Sequence, residues 1–411
     1  MTENKSFIAG INKNYLLTFL AITIFYFFES AQMSYFNVLA PTFLSHGIYQ
    51  HDQIASLSAA YYYGDMIGLL PVGFALDHFP LRKILLWAIL GSVVGAFLLL
   101  ISQNFPLQWT ARFLCGFFGG TFSFVGGIRV LANLFPNRFT LFIGLFLSAG
   151  MFGGLICQYP LLLTVNHLGT MGAMAVMAIF GVFVIIFNLL YLHPITPKTE
   201  THHNQYPGTV WQMCLEIVKN RKNWLDCIMV VLLDTPVSII GTLWGVVLLM
   251  NFYHFSDAIS AWIVMSLFAG LMIGLPVWGA LADRYQYPAW IITAGAGGSL
   301  LTVLLMLIFP QSHAPFVAML FFLLGLLSSC QTLGFTWLTK NMRPKLIGRN
   351  SAFNSMIFMG TNGGLKQIGA CLLSTEVFSK TPAANLLMII SISMILVTIY
   401  ASFRKKIFTY L

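Results

Sequence analysis

Seven ionisable residues interrupt otherwise apolar stretches of this chain: Glu29, Asp65, Arg112, Arg129, Asp226, Asp234 and Lys366. Such groups are costly inside long apolar segments and mark ion or substrate pathways. Glu29, in Phe25-Tyr-Phe-Phe-Glu29-Ser-Ala-Gln32, lies near the middle of its stretch. A carboxylate withdrawn from water favours its neutral, protonated form, which suits Glu29 to carry a proton. Asp234 lies at a comparable depth in a later stretch and is the second proton or substrate candidate. It precedes Thr235-Pro236, whose proline removes a backbone hydrogen bond and permits a bend. Arg112 and Arg129 share one stretch, and each offers a two-pronged donor to a substrate carboxylate or phosphate. Gly126-Gly127, beside Arg129, leave room for a ligand or for close helix packing. Asp226 sits near the end of its stretch, where Lys222 or lipid headgroups would face it. Tyr62, Trp244 and Asn362 are polar or aromatic at mid-depth and are expected to line a substrate path.

The elements that must position these groups are membrane helices. The chain of 411 residues is 58% hydrophobic and 8% charged, against about 25% charged in soluble domains. A spanning helix needs about 20 mostly apolar residues. Twelve such stretches are expected, near 15–43, 54–76, 83–102, 106–132, 139–165, 171–192, 224–251, 258–280, 288–309, 315–338, 350–373 and 384–402. A polar segment divides them six and six. The expected organisation is an N-terminal bundle over 1–192, a linker over 193–222 and a C-terminal bundle over 223–411. The first stretch is too long for a signal peptide and lacks a small-residue cleavage site. With the N-terminus inside, the loop cations fall on the cytoplasmic side except Lys380, which predicts that both termini are cytoplasmic. The net charge of +9 is spread over short loops, so it reads as an orientation signal and predicts no nucleic-acid partner. The six cysteines lack metal or CxxC spacing and are expected to be small buried packing residues. No HExxH, Walker loop or GxSxG occurs, so neither an enzyme nor a nucleotide-driven pump is expected, and no metal or cofactor.

Two tracts point to a family. Gly73-Phe-Ala-Leu-Asp77-His-Phe-Pro-Leu-Arg82-Lys83 and Gly279-Ala-Leu-Ala-Asp283-Arg284 stand half a chain apart. They resemble the loop signature of the major facilitator superfamily, between helices two and three and, more weakly, eight and nine. That resemblance implies an all-α membrane protein of twelve transmembrane helices in two pseudo-symmetric six-helix bundles, working by alternating access. It implies that the glycine permits close helix approach, and that Asp77 with Arg82 and Asp283 with Arg284 latch the cytoplasmic gate. Arg112-Phe-Leu-Cys-Gly116 resembles the superfamily's fourth-helix arginine pattern, which is associated with proton coupling or substrate charge. Because helices two and eleven meet in this superfamily, Asp65 and Lys366 are expected to pair when the outer gate closes. Gly144 to Gly154 only partly matches the glycine-proline signature of drug antiporters, with Met151 in place of proline.

Residues 15–165 resemble a narrower bacterial group that includes phagosomal transporters of amino acids and nucleosides, with lysosomal dipeptide carriers as distant relatives. The matching tracts are Phe25-Tyr26-Phe-Phe-Glu29, Ser58-Ala-Ala-Tyr61 before Pro71-Val72-Gly73, and Ala132-Asn133-Leu134-Phe135-Pro136-Asn137-Arg138-Phe139. Leu134 stands where that pattern has tryptophan. The expected function is proton-coupled uptake of a small polar nutrient, an amino acid or short peptide, across a bacterial inner membrane by a monomer. Its partners would be a small-molecule substrate, protons and the lipid bilayer. Import of a carboxylate siderophore, proton-coupled multidrug efflux and a non-transporting sensor are the alternatives.

Overall fold

The computed structural model describes residues 13–101, 104–136, 139–194, 219, 221–285, 289–334, 347–374 and 382–408. These residues are almost all helical, as the apolar runs require, because backbone groups inside a bilayer must be paired within each helix. Helix α1 covers Lys13–Ser45 with a turn at Tyr35, α2 His51–His78, α3 Leu81–Ile101 and α4 Phe105–Leu134. Helix α5 covers 139–168, broken at Gln158 ahead of Pro160, and α6 covers 170–191. Between them Gly169 adopts φ 73°, a conformation open to glycine and strained for other residues. The second half comprises α7 Asn223–Phe252, α8 Asp257–Tyr285, α9 Ala289–Ile308, α10 Ala314–Gly334, α11 Ile347–Ser374 and α12 Pro382–Phe408.

Over their described residues, all twelve expected stretches are helical. Among the described residues, nine segments are long and apolar enough to cross a membrane by length and composition, one of them being the run Phe142–Tyr191 that holds most of α5 and all of α6. Helices α2 and α11 fall outside that set. They pack on each other where the two halves meet: Gly363 against the Tyr63 ring and Gly360 against the Met66 sulfur. The polar segment expected as the linker lies almost wholly outside the described residues.

The duplication is visible in the packing. In the first half, a side chain at Gly64 of α2 or Gly116 of α4 would run into the facing backbone of Phe113 or Tyr61. In the second half, Gly270 of α8 and Gly325 of α10 meet the backbones of Phe322 and Leu267 in the same way. Small residues let membrane helices approach until their backbones touch. Gly279, in the second family-like tract, has open space where a Cβ would stand, so close approach does not explain it in this conformation. Gly126 and Gly127 are filled by Leu85 and the Phe146 ring, so that pair serves packing and leaves no room for a ligand. Of the cysteines, Cys115, Cys157, Cys227 and Cys330 are buried, but Cys371 is exposed, contrary to the sequence expectation.

Among the described residues the halves meet through α2 on α11 and α7, α5 on α8 through Gly154 and the Phe268 ring, and α1 on α7. The last contact is polar. The Asn37 amide of α1 donates to the Gly241 carbonyl at 3.1 Å and accepts from the Val246 N–H at 3.2 Å, and it also donates to Gln158 Oε1 at 2.9 Å. Gly241 and Val246 are five residues apart, the spacing of a π-helical hydrogen bond. The Asn37 side chain therefore stands in for one rung of the α7 ladder. These contacts lie on the side where α1 ends and α2 begins, which is the outer side in the sequence-based orientation.

Candidate functional site

Five of the seven ionisable residues (Glu29, Asp65 and Arg112; Asp234 and Lys366) collect into two clusters, each built on a π-helical turn. In α4 the π segment is Cys115–Gly120, of sequence Cys-Gly-Phe-Phe-Gly-Gly. Three glycines in six residues remove the side chains that would crowd the widened turn, and π-helical turns are frequently functional. Two carboxylates use the space. The Glu29 carboxyl lies where a Cβ on Gly119 would stand, and that of Asp65 lies 2.7 Å from the corresponding point on Gly120.

Glu29 is 1% exposed and its carboxylate accepts from two hydroxyls, Ser92 Oγ at 2.5 Å and Tyr61 Oη at 3.3 Å. Ser92 in turn receives the Gln32 amide at 3.0 Å. Asp65 accepts from Thr121 Oγ1 through both its carboxylate and its backbone carbonyl, the latter at 2.7 Å. Arg112, fully buried, donates to the carbonyls of Gln32 at 2.9 Å and Leu57 at 3.4 Å. Its guanidinium lies 4.7–5.1 Å from the ring centres of Tyr35, Phe36 and Tyr61, distances suited to cation–π attraction. One guanidinium nitrogen, Nη2, is buried without a partner. Tyr61 thus touches both charged residues, its ring against Arg112 and its hydroxyl on Glu29. Gln32 also links them, giving its carbonyl to Arg112 and its amide to Ser92.

The second cluster is organised by α7. Pro236 has no N–H, so the Leu232 carbonyl is met instead by Thr235 Oγ1 at 2.7 Å. Beyond it the helix is π-helical over Val237–Trp244. The Ser238 carbonyl here accepts from Thr242 Oγ1 at 2.7 Å and from Lys366 Nζ at 3.1 Å. Lys366 also donates to Thr242 Oγ1, and its Nζ stands 4.4 Å from the centre of the Tyr62 ring. Trp244, fully buried, donates its indole N–H to the Lys366 carbonyl at 3.1 Å. Asp234 accepts from Asn362 Nδ2 at 2.7 Å and from the Gln331 side chain.

The sequence-predicted residues Asp234, Lys366, Tyr62, Trp244 and Asn362 are therefore brought together, as are Glu29 and Arg112. The expected Asp65–Lys366 pair is not formed. Tyr62 is the residue of α2 that faces Lys366; Asp65, one turn further in, is directed at α4. Among the described residues, each charge makes its hydrogen bonds within its own half even though α2 and α11 are packed together, and across the seam Lys366 meets the Tyr62 ring. Arg129 is only partly buried and its carbonyl accepts from Asn133; it joins neither cluster. Asp226, just inside α7, accepts from the Tyr400 hydroxyl of α12 at 2.8 Å; the side chain of Lys222, expected to face it, lies outside what is described. Arg82 donates to the Leu189 carbonyl at 3.0 Å, and Arg284 is exposed in the last turn of α8. The side chains of Asp77 and Asp283 lie outside what is described.

Several participants went unassigned in the sequence: Asn37, Ser92, Gly119, Gly120, Thr121, Ser238 and Thr242. The Gly119-Gly120 pair in the middle of an arginine-bearing helix was the available signal. The uncharged Asn37 and the hydroxyls have no signature that separates them from ordinary helix packing.

The profile of the Major Facilitator Superfamily matches residues 19–365. No curated protein matches. Among solved structures, the nucleoside transporter NupG superposes with a TM-score of 0.70 at 12% identity, covering 96% of this chain and 100% of that one. A mutant of the same transporter gives 0.73 at 12% identity, covering 94% and 99%. The D-xylose-proton symporter gives 0.72 at 14% identity, covering 94% and 96%.

Proposed function

We propose that this chain, which belongs to the major facilitator superfamily, takes up an amino acid or short peptide together with protons across a bacterial inner membrane. Membership accounts for a multi-pass secondary transporter; the direction, the coupling ion and the substrate are our reading. The observation that carries it is the placement of Glu29. Its carboxyl is buried in the membrane-spanning part of α1, both of its hydrogen-bond partners are hydroxyls, and it rests on the side-chain-free face of Gly119. A hydroxyl can accept a hydrogen bond from a protonated carboxyl as readily as it donates to an ionised one, so both protonation states are accommodated without rearranging the fold. Tyr61 and Gln32 tie that site to Arg112, which supplies the positive charge that a substrate carboxylate or the ionised Glu29 would seek. The latch roles of Asp77 with Arg82 and of Asp283 with Arg284 remain part of this reading.

The test is uptake into proteoliposomes under an imposed pH gradient, acid outside. Amino acids and dipeptides should accumulate in the wild type. Glu29→Gln should abolish gradient-driven accumulation yet retain exchange of labelled for unlabelled substrate, since exchange needs no net proton movement. Undiminished pH-driven uptake by Glu29→Gln removes Glu29 as the proton carrier.

A further inference from the structure

The groups around Asp234 are unevenly satisfied. Asn362 and Gln331 both direct their amide N–H groups at the Asp234 carboxylate. Their carbonyl oxygens, Asn362 Oδ1 and Gln331 Oε1, are buried without hydrogen-bond partners, and so is Ser238 Oγ. Native structures leave few such atoms unpaired; two beside one carboxylate, with a third one turn along α7, point to a partner that arrives from outside the chain.

The chemistry of that partner follows from what is left unfilled. Apart from Ser238, the donors of the cluster are already committed: Lys366 Nζ to the Ser238 carbonyl, Thr242 and the Tyr62 ring, Trp244 to the Lys366 carbonyl, and the Tyr62 hydroxyl to Thr242. Two amide carbonyls, a carboxylate and the Ser238 hydroxyl remain, and only the hydroxyl can donate. A carboxylate or phosphate ligand would find that single donor there and would meet the charge of Asp234. A hydroxyl brings one O–H and also lone pairs that need donors. A primary ammonium brings three N–H groups and no acceptor, and its charge complements Asp234. The chain seats one ammonium nearby in the same manner: Lys366, four residues from Asn362 on the same face of α11, is held by a carbonyl, a hydroxyl and an aromatic ring.

We propose that Asp234, Asn362 and Gln331 form the seat for a primary ammonium group of the transported substrate. This rests on the reading of the substrate as an amino acid or short peptide, and it divides the labour between the halves: the ammonium is held on α7, α10 and α11, and the proton by Glu29 on α1.

The test uses the purified full-length protein. The twenty amino acids and a set of alanine-containing dipeptides are titrated by calorimetry, and the tightest ligand is compared with its N-acetyl and C-amide derivatives. N-acetylation should weaken binding about 100-fold, the order expected when one member of a buried charged pair is removed, while the C-amide stays within about 10-fold of the parent. Asp234→Asn should weaken the free amine by a similar factor without further weakening the N-acetyl derivative, a selectivity that a merely structural role would not produce. Gln331→Leu, which leaves the carboxylate in place, should weaken the free amine to a smaller degree; it serves if Asp234→Asn does not fold. Equal binding of the amine and its N-acetyl derivative overturns the ammonium seat and leaves the amino-acid reading standing. Absence of binding by any amino compound, with or without binding of pentoses or nucleosides, overturns both.

Discussion

Replacing Asn37 with alanine should open the outer side of the transporter. The Asn37 amide spans from α1 to the backbone of α7, closing a rung between Gly241 and Val246, and it holds Gln158 as well. The substitution orphans one backbone carbonyl, one backbone N–H and one side-chain oxygen. The α7 ladder can re-close part of this rung on itself, so the net loss is about 1–3 kcal/mol, the usual cost of leaving a buried polar group unpaired. That cost falls only on the closed state, because separation of the halves would leave α7 to complete its own hydrogen bonds. A difference of that size shifts the ratio of outer-open to outer-closed forms about 5- to 150-fold. Spin labels at Ser45, at the end of α1, and Asn251, at the end of α7, are both on exposed residues and would report the distance across this gate. They would be placed in a background with the six native cysteines replaced. The expected result is a longer-distance population in Asn37→Ala that is minor or absent with Asn37 intact. An unchanged distance distribution would refute the idea that this amide holds the gate.

Gly119→Ala should cut pH-driven uptake at least about 10-fold, because a Cβ at that position would overlap the Glu29 carboxyl; alanine is the better helix former by roughly 0.5–1 kcal/mol, so a stable protein with normal transport would show that the seat is not required. Thr121→Val removes the hydroxyl on which Asp65 rests and should lower thermal stability by about 1–3 kcal/mol, whereas Thr121→Ser should be close to wild type in the same melting assay. Exchanging the charges of Asp65 and Lys366 in a double variant should leave transport dead, since each residue is satisfied by its own half; recovery of uptake would reinstate a direct pair. Tyr400→Phe should cost only about 0.5–1.5 kcal/mol in stability, the net worth of a single hydrogen bond, with uptake retained.

The sequence alone carried the helix count, the six-and-six duplication and the transporter class, because a bilayer demands long apolar helices and tolerates charges only where they act. It also carried the membership of the second cluster in part: Asn362 and Lys366 share a helix face by their spacing, and Asp234 precedes a proline that forces α7 to change its winding. Partner choice was decided by the tertiary structure. Asp65 and Lys366 belong to helices that do pack together, so pairing them followed from the family resemblance and their comparable depth. Which way each side chain turns depends on the rotation of its helix, and a π-helical turn shifts that rotation in a way that no apolar periodicity records. The glycines of α4 let Asp65 settle on its own half, and the Ser238 carbonyl of α7 gave Lys366 an acceptor that the sequence does not display. The Asn37 rung was illegible for the same reason: it depends on a backbone hydrogen bond missing from another helix some 200 residues away, and only the folded chain brings the two together.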